Sequence, residues 1–593
     1  MRPGVGESYS GVDSPWESDD IAAVLDCITM RFIPLRLWIL AILSGVLQVL
    51  PFPIAGPVPA WRTAFCWVAL TPLLLALTGK DTHGLPLRAY QGAVLGYVSG
   101  FVWYLGNCYW VYETMHLYGG IAKPAAAGIL VLFCLYLGLY HALFGTLIVS
   151  FRSAQLWKHS LGVQGALLLS PFAWVAVELA RARITGFPWD QLGITQVDNL
   201  LLTRIAPIAG SYGLSFAIVA VNALWLARIT LKPRRFTRLA LALSCIGIIL
   251  LYVYLLRLVQ PQIHEGTEAT ATLLQENLKV GAEVASSEPL LSQNDMLRAF
   301  SELSLFPPNG GECNGIPEMY GTRCKGSDAP QQSTDADAAR MMQATDLIVW
   351  PEAPTMFQEN NPEFRMSMSR LARAANAPVI VGNIGIEADR DAARGYDLHN
   401  SADFIQPDGN FAGRYDKMHL VPFGEYVPYK KLFFFAGKLL DDVGDLDPGT
   451  RRSVFTTGGH SIGTFICYES VFGDEVRQYA EIGADVLVNI SDDGWYGDTS
   501  AAWEHLNMVR MRAIENHRWV LRATNTGVTA AIDPYGRVVA SAPRHTRTSL
   551  HVGFNYEQDV TFYSAHGDLF AYLCALIAVV GLGLGLLRKL AQE

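Results

Sequence analysis

Three short stretches of the chain carry residue types suited to acid–base and nucleophilic chemistry. The first, Val349-Trp350-Pro351-Glu352, places a carboxylate directly after an apolar run. Because Pro351 fixes φ and lacks an N–H, a strand must end there and present Glu352 in a fixed direction. A carboxylate held among apolar neighbours has a raised pKa and serves as a general base. Taken alone, a Glu after a strand is more often a cap or a solvated loop residue.

The second stretch, residues 415–426, supplies a lysine and a further carboxylate. Lys417 offers a fixed positive charge for a developing oxyanion, and Glu425 follows it in the same segment. An ordinary Lys–Glu surface pair in a turn would give the same pattern.

The third stretch, residues 461–470, contains a cysteine just ahead of a predicted helix. Cys467 closes an apolar run, and the helix is predicted from Phe472. Near the N-terminus of a helix, the dipole and the free backbone N–H groups favour a thiolate and can hold an oxyanion. The pattern predicts a nucleophile, and its alternative is a buried, inert cysteine.

The elements that must position these residues are typical of an α/β layered domain. Several predicted strands are continuously apolar, as expected where both faces of a sheet are covered. The three stretches fall at ends of strands, where open α/β sheets commonly place their sites. Strands are predicted at 271–275, 346–350, 378–386, 401–406, 461–467, 485–490 and 528–532, and helices at 336–344, 363–376, 472–483 and 502–515.

The first half of the chain is apolar and poor in acidic residues. The whole chain is 51% hydrophobic and 17% charged, against about 25% charged in typical soluble proteins, which disfavours a purely soluble enzyme. Residues 31–259 carry 17 Lys and Arg against five Asp and Glu, whereas residues 260–593 carry 27 against 43. A helix needs about 20 apolar residues to cross a bilayer. Spans are predicted at 32–50, 61–77, 89–109, 125–149, 163–179, 211–229, 239–258 and 569–587; the first two are alternatively buried or re-entrant helices.

Basic residues in the short loops set the predicted orientation. One cluster follows the sixth span and a pair follows the eighth, and both segments are expected on the cytoplasmic side. These residues are Arg228, Lys232, Arg234, Arg235, Arg238, Arg588 and Lys589. With seven spans before it, the α/β block then faces the periplasm. The predicted domains are a polar, disordered leader without a signal-peptide pattern at 1–30, a membrane domain at 31–260, the catalytic domain at 261–566, and an eighth helix with a cytoplasmic tail at 567–593.

In chain order, Glu352, Lys417 and Cys467 resemble the Glu-Lys-Cys triad of the nitrilase superfamily. Together with the predicted spans, the chain resembles the apolipoprotein N-acyltransferase family over about residues 31 to 590. The motifs that carry this resemblance are KMHLVPFGEYVP at 417–428, ICYES at 466–470, SDDGWYG at 491–497 and Gly-Phe-Pro-Trp at 186–189, the last in an outer loop between spans five and six. The chain departs from the family in having no Trp between Gln262 and Val349, where the family keeps an important one.

The resemblance implies a polytopic α-helical membrane domain that carries a nitrilase-like α-β-β-α sandwich. It implies that Glu352 is the general base, Lys417 the oxyanion stabiliser and Cys467 the nucleophile. By the same resemblance, the supporting residues are Glu425, Tyr468, Glu469 and Asn400.

The activity implied is the last step of bacterial lipoprotein maturation at the inner membrane. A fatty acyl chain would pass from a membrane phospholipid to the α-amino group of the N-terminal diacylglyceryl-cysteine of apolipoproteins, through a thioester on Cys467. Such covalent catalysis predicts ping-pong kinetics.

Two other classes of protein stay open. A membrane-anchored nitrilase-type amidase that hydrolyses a small amide would share the triad but would not need eight spans. A transporter with an appended domain would carry ionisable residues along a path through the membrane. The acidic residue inside a predicted span is Glu178, for which an ion pair with Arg181 or Arg183 is the simpler account.

The sequence also bears on ligands and partners. No motif indicates a metal or an organic cofactor, because the histidines lack ligand spacing; these are His419, His460, His505 and His517. Nucleic acid is not indicated, since no basic stripe with interleaved aromatics occurs in the acidic half. A monomer is expected, because one chain contains the whole site.

Two segments of the α/β block carry further expectations. A Cys313–Cys324 disulfide would form if their Gly-rich loop faces an oxidising compartment. Part of 432–440, rich in Phe and Leu, is expected to enter the membrane interface, or else to pack inside the domain.

Overall fold

The computed structural model describes residues 32–152, 155–156, 159–160, 162–257, 267–280, 292–307, 344–352, 357–389, 395–422, 424–426 and 446–590. The predicted leader, the Cys313–Cys324 pair, the 432–440 segment and all but the last residue of the predicted helix 336–344 lie outside these ranges.

Helices occupy each of the eight predicted span positions within the described ranges. They are α1 Leu35–Val49, α2 Ala60–Leu77, α3 Ala89–Asn107, α4 Lys123–Phe151, α5 Gly162–Ala180, α6 Ala206–Thr230, α7 Pro233–Arg257 and a last helix, Leu569–Leu590. Four segments are long and apolar enough to cross a membrane: Ala60–Leu77, Lys123–Phe151, Gly162–Thr185 and Thr203–Thr230. The described chain therefore has four candidate membrane spans by length and composition.

Helix α2 is broken, which the pattern at 61–77 did not indicate. Its pieces are Ala60–Thr63, Cys66–Ala69 and Thr71–Leu77. Pro72 has no N–H to continue the helical ladder. Asn222 of α6 covers the break, since its Oδ1 accepts from the backbone N–H groups of Leu70 and Thr71, both at 3.0 Å. A buried amide thus replaces missing backbone bonds between apolar helices.

The predicted ion pair of Glu178 with a neighbouring arginine is not a direct contact: Arg181 donates to Tyr104 Oη at 3.0 Å. Glu178 Oε1 instead accepts hydrogen bonds from Trp174 Nε1 at 2.9 Å and from the backbone N–H of Leu192 at 2.8 Å. Arg183 turns away to Asp474 at 2.5 Å and Asp568 at 2.7 Å. Arg183 therefore ties the end of α5 to the α/β domain, and Glu178 fixes the loop that follows α5.

The α/β domain contains two six-stranded mixed sheets. The strands are β1 Ala269–Gln275, β2 Leu347–Val349, β3 Val379–Ala388, β4 Tyr396–Ile405, β5 Phe411–Asp416, β6 Val454–Thr457, β7 His460–Ile466, β8 Val486–Ser491, β9 Val520–Thr524, β10 Ala530–Ile532, β11 Val538–Ser541 and β12 Thr548–Phe554. One sheet has the order β12-β1-β2-β3-β4-β5 and the other β11-β10-β9-β8-β7-β6. Strands β1, β2 and β3 run parallel, as do β7, β8 and β9.

The two sheets face each other, and helices cover their outer faces. The covering helices are α8 Gln293–Leu305, α9 Pro362–Ala375, α10 Gly473–Glu481 and α11 Ala501–Asn516. The short helix α12 Phe562–His566 follows the sheets and leads to the last helix, α13 Leu569–Leu590. Between the sheets, Phe404 of β4 stacks on Phe455 of β6, with ring centroids 4.9 Å apart. Phe300 of α8 and Phe364 of α9 pack on the outer face of the first sheet, and Val509 of α11 packs on the second. The result is a four-layered α-β-β-α arrangement.

All seven predicted strands exist, and the largest shift is in β4, which begins at Tyr396 and not at residue 401. The pattern missed β5, β6, β9, β11 and β12 together with α8 and α12. Most of the missed strands are half-exposed, with polar residues breaking the apolar run. Strand β9 is different, because it is fully buried and yet contains Arg522.

Asp403 of β4 gives the domain a pH-dependent stability. It is 1% exposed, and burial together with Glu359 raises its pKa to about 8. When the pKa of a carboxyl rises on folding, the folded protein loses stability as the pH rises from about 4, the pKa of the carboxyl in the unfolded chain, to its pKa in the folded chain. Asp403→Asn should therefore raise the melting temperature by an amount that grows between about pH 5 and about pH 8.

Thermal denaturation in detergent measures this effect. Asp397→Asn, a partly exposed position on the same strand, is the matched control and should show no such trend. A gain for Asp403→Asn that is the same at every pH would contradict the assignment.

Candidate active site

Cys467 occupies a tight turn at the carboxyl end of β7. Its φ is 48°, in the left-handed region. For a residue other than glycine this costs on the order of 1–3 kcal/mol, so surrounding contacts must hold it there. A 3₁₀ turn, Cys467–Val471, separates the cysteine from α10, which begins at Gly473. The predicted helix is confirmed, but Cys467 does not directly precede its N-terminus.

The environment of the thiol favours its protonated form. Burial raises the pKa of Cys467 well above its ordinary value, and the carboxylate of Glu352 adds to the effect. The nearby Lys417 ammonium opposes these influences without cancelling them. The expectation that the surroundings favour a thiolate is therefore wrong for the resting site. A base must take the proton before the sulfur can attack.

Glu352 lies at the end of β2, fixed by hydrogen-bond donors on both oxygens. Oε1 accepts from Asn400 Nδ2 at 2.6 Å and from Lys417 Nζ at 3.1 Å. Oε2 accepts from the backbone N–H of Asp492 at 2.8 Å. Polar donors, and not the apolar neighbours expected from the sequence, thus surround the carboxylate. Asp492 follows β8 of the second sheet, so Glu352 also joins the two sheets at their carboxyl ends.

Lys417 is buried between two carboxylates. It is 1% exposed, which excludes a surface pair, and Nζ lies 3.1 Å from Glu352 Oε1 and 2.9 Å from Glu425 Oε1. Burial alone would lower the pKa of Lys417, but the two carboxylates hold it well above its ordinary value. Asn400 Nδ2 also donates to Glu425 Oε1 at 2.7 Å. With two of its three N–H groups bonded to these carboxylates, the ammonium keeps one for a substrate oxygen.

Glu469 connects the segment after Lys417 to the end of β7. Its Oε1 accepts from Tyr415 Oη at 2.7 Å and from the backbone N–H of Met418 at 2.8 Å. Oε2 accepts from the backbone N–H of Ile466 at 2.8 Å. Glu469 therefore fixes the position of the ammonium relative to the cysteine turn, and its role is positional.

Tyr468 points away from the triad, toward the loop that follows α5. Its Oη donates to the carbonyl oxygen of Gly186 at 2.8 Å, and its ring stacks against Trp189 with centroids 6.4 Å apart. The Gly-Phe-Pro-Trp loop lies between α5 and α6, and it reaches the residue next to the cysteine. The seven residues predicted for the site thus lie together, and Tyr468 contacts the loop between α5 and α6 of the membrane domain.

Sequence reasoning missed the polar groups behind Cys467. Asp493, His505 and Arg522 are each 0% exposed and hydrogen-bonded to one another. The motif SDDGWYG contains Asp493, and was the one available signal. His505 had no metal-ligand spacing, and Arg522 lies in an unpredicted strand.

Both halves of the chain are similar in sequence to known proteins. The family model described as Carbon-nitrogen hydrolase matches residues 255–554, and the model described as Apolipoprotein N-acyltransferase N-terminal domain matches residues 44–224. An apolipoprotein N-acyltransferase of Geobacter metallireducens is 33% identical, over 94% of this chain and 96% of its own. That of Methylococcus capsulatus is 31% identical, over 94% of this chain and 98% of its own.

Among solved structures, an amidase from Nesterenkonia sp. aligns with 53% of this chain and 98% of its own. The sequence identity is 15% and the TM-score 0.34. This likeness is too weak to indicate an activity.

Replacing Glu469 by Gln tests its positional role. The amide cannot accept from all the donors that meet the carboxylate, and an unsatisfied buried donor costs about 1–3 kcal/mol. We expect Glu469→Gln to lower the melting temperature. Because the segment after Lys417 is released, alkylation of Cys467 by iodoacetamide should slow by about tenfold at neutral pH.

Peptide mass spectrometry of the Cys467 peptide follows the alkylation. Glu481→Gln, at an exposed position of α10, is the control and should match the parent protein. A Glu469→Gln protein with the parent's stability and alkylation rate would show that the hydrogen bonds to Glu469 have no positional role.

Proposed function

The chain belongs to the apolipoprotein N-acyltransferase family, and from this premise we propose that Cys467 carries the acyl group as a thioester between two substrates. By its family, the protein is an acyltransferase of bacterial lipoprotein maturation. The observation that carries the proposal is the position of Cys467. It lies in a left-handed turn, close enough to Glu352 and the buried Lys417 for both charges to act on its thiol.

The first step moves an acyl chain from a phospholipid to the enzyme. Glu352 accepts the thiol proton, and the sulfur of Cys467 attacks the ester carbonyl. The remaining N–H of Lys417 stabilises the oxyanion of the tetrahedral intermediate. When the carbon–oxygen bond breaks, the leaving lysophospholipid oxygen takes the proton back from Glu352. No net proton is gained or lost, and the product is a thioester on Cys467.

The second step moves the acyl chain to the lipoprotein. The neutral α-amino group of the diacylglyceryl-cysteine attacks the thioester carbonyl, and Glu352 accepts a proton from the nitrogen. The carbon–sulfur bond breaks, and the proton passes to the sulfur, which restores the thiol. Since the two substrates use the same groups in turn, the kinetics should be ping-pong.

Glu425 and Asn400 hold the reacting groups in register. Glu425 shares the Lys417 ammonium with Glu352, and its other oxygen accepts from the backbone N–H of Val421 at 2.7 Å. Asn400 donates to both carboxylates at once. The two residues keep Lys417 charged and aimed while Glu352 changes its protonation state.

The membrane domain brings the site to its lipid substrates. Both substrates carry acyl chains, and amide formation requires that water be kept from the thioester. Tyr468 binds the loop after α5, so the cysteine turn lies against the membrane helices. We assign the membrane domain to 31–260 and the catalytic domain to 261–566, as eight spans with a periplasmic site at the inner membrane. The basic residues between α6 and α7 support this orientation, and a monomer suffices.

The acyl-enzyme is directly observable by intact mass. After incubation with phospholipid in detergent, the protein should gain one fatty acyl group that hydroxylamine removes. Cys467→Ala should abolish the gain while the protein remains folded and inserted. A gain of the same size in Cys467→Ala would place the acyl group elsewhere and overturn the proposal.

The base and the ammonium are tested on the same step. Glu352→Gln should slow acyl-enzyme formation by about 10²–10⁴-fold, the usual contribution of a general base. Lys417→Ala should block it as well, because the oxyanion loses its donor and two buried carboxylates lose their counter-charge. Glu359→Gln, at a carboxylate bound by Arg414 away from the site, is the control. Unimpaired acylation in either site variant would remove that residue from the mechanism.

A further inference from the structure

A network of four buried polar side chains adjoins Cys467 and is separate in its contacts from Glu352 and Lys417. Arg522 Nη2 donates to Asp493 Oδ2 at 2.6 Å, and His505 Nδ1 lies 2.8 Å from Asp493 Oδ1. On the other side of the ring, His505 Nε2 lies 2.7 Å from Ser470 Oγ and 3.0 Å from the carbonyl oxygen of Cys467. This network therefore ends on the backbone carbonyl of Cys467, the proposed nucleophile.

Its members are completely buried, so their contacts must satisfy them. Arg522, Asp493, His505 and Ser470 are each 0% exposed. Although burial alone would raise the pKa of Asp493, Arg522 and His505 hold it well below its ordinary value. Asp493 is therefore a fixed negative charge at neutral pH. A buried ion pair of this kind gains little stability over apolar packing, which points to a role in specifying geometry.

The ring of His505 cannot turn away from Cys467. Trp189 stacks against it with centroids 5.8 Å apart and an interplanar angle of 24°, and Tyr496 meets it edge-on at 6.0 Å. Asp493 holds Nδ1 at one edge. Because a carbonyl oxygen and a carboxylate oxygen only accept, the contacts with Cys467 and Asp493 together require a proton on Nε2 and on Nδ1.

We propose that His505 is a positioning residue for Cys467: its Nε2–H holds the carbonyl of the left-handed turn, and Asp493 with Arg522 holds the imidazole. The turn at Cys467 is a strained conformation that must be over-determined by its surroundings. Glu469 secures the turn through Ile466, and His505 secures it through Cys467 and Ser470. Without His505 the turn relaxes and the sulfur leaves its place near Glu352 and Lys417. This inference rests on the proposed role of Cys467 as the nucleophile.

Two substitutions of His505 separate this role from a merely structural one. The amide of Gln reaches about as far as Nε2, so His505→Gln can still donate to the Cys467 carbonyl but loses Asp493. The amide of Asn matches Nδ1, so His505→Asn keeps Asp493 and loses Cys467. Both remove the ring that stacks on Trp189. If His505 serves only to hold Asp493 by a hydrogen bond, Asn is the milder change; if it positions Cys467, Gln is.

Two measurements on the full-length protein in detergent distinguish the positioning role of His505 from a merely structural role. The first is acyl-enzyme formation as a function of phospholipid concentration. We expect the maximal rate to fall by about 100-fold in His505→Asn and by less than about tenfold in His505→Gln, with the half-saturating concentration unchanged, since the lipid site is intact. The second is alkylation of Cys467 by iodoacetamide at neutral pH, which should follow the same order because Glu352 no longer reaches the thiol proton.

The control pair is His460→Gln and His460→Asn, at the other end of β7, and both should match the parent. The proposal is overturned if His505→Asn equals or exceeds His505→Gln in both measurements. Should either variant fail to fold, Ser470→Ala, which removes one contact of Nε2, is expected to slow alkylation, and a parental rate would also overturn it. Alkylation needs no lipid, so failure of the proposed acyl transfer would leave the test of positioning intact.

Discussion

The buried ammonium of Lys417, shared between Glu352 and Glu425, is the interaction on which the rest of the site depends. An ammonium that is 1% exposed is stable only while its carboxylate partners remain in contact. The three charged groups come from different parts of the chain: Glu352 follows β2, while Lys417 and Glu425 follow β5. Asn400 of β4 closes the group by donating to both carboxylates. The first sheet must therefore be correctly paired before the charge can be buried.

The second sheet then supplies the nucleophile against this fixed charge. Strand β7 ends in Cys467, and β8 ends beside Asp492, whose backbone N–H binds Glu352. Packing of the two sheets thus sets the distance between base and thiol. Because burial and Glu352 both raise the pKa of the thiol, the resting enzyme keeps its sulfur protonated. A site of this kind reacts slowly until a substrate carbonyl approaches and the proton can move to Glu352.

Much of this architecture could be predicted from the sequence, because apolar runs and strand ends leave local signals. The runs before Glu352 and Cys467 predicted β2 and β7, and the motif from 417 to 428 placed Lys417 beside Glu425. What escaped prediction depends on contacts between distant segments. Arg522 interrupts the apolar pattern of β9, and its charge is neutralised by Asp493, 29 residues away in a different element. The raised pKa of Cys467 likewise follows from burial in the core between the two sheets and from the charge of Glu352, and no local pattern encodes it.

The fate of an isolated acyl-enzyme tests the central claim most directly. Acyl-enzyme purified away from phospholipid is mixed with an excess of a diacylglyceryl-cysteine peptide, and mass spectrometry follows both molecules. The account predicts that the acyl group appears as an amide on the peptide N-terminus, in the amount lost from Cys467, and that an N-acetylated peptide leaves the thioester intact. Release of free fatty acid at one rate, with or without the peptide, would contradict the account and identify a hydrolase.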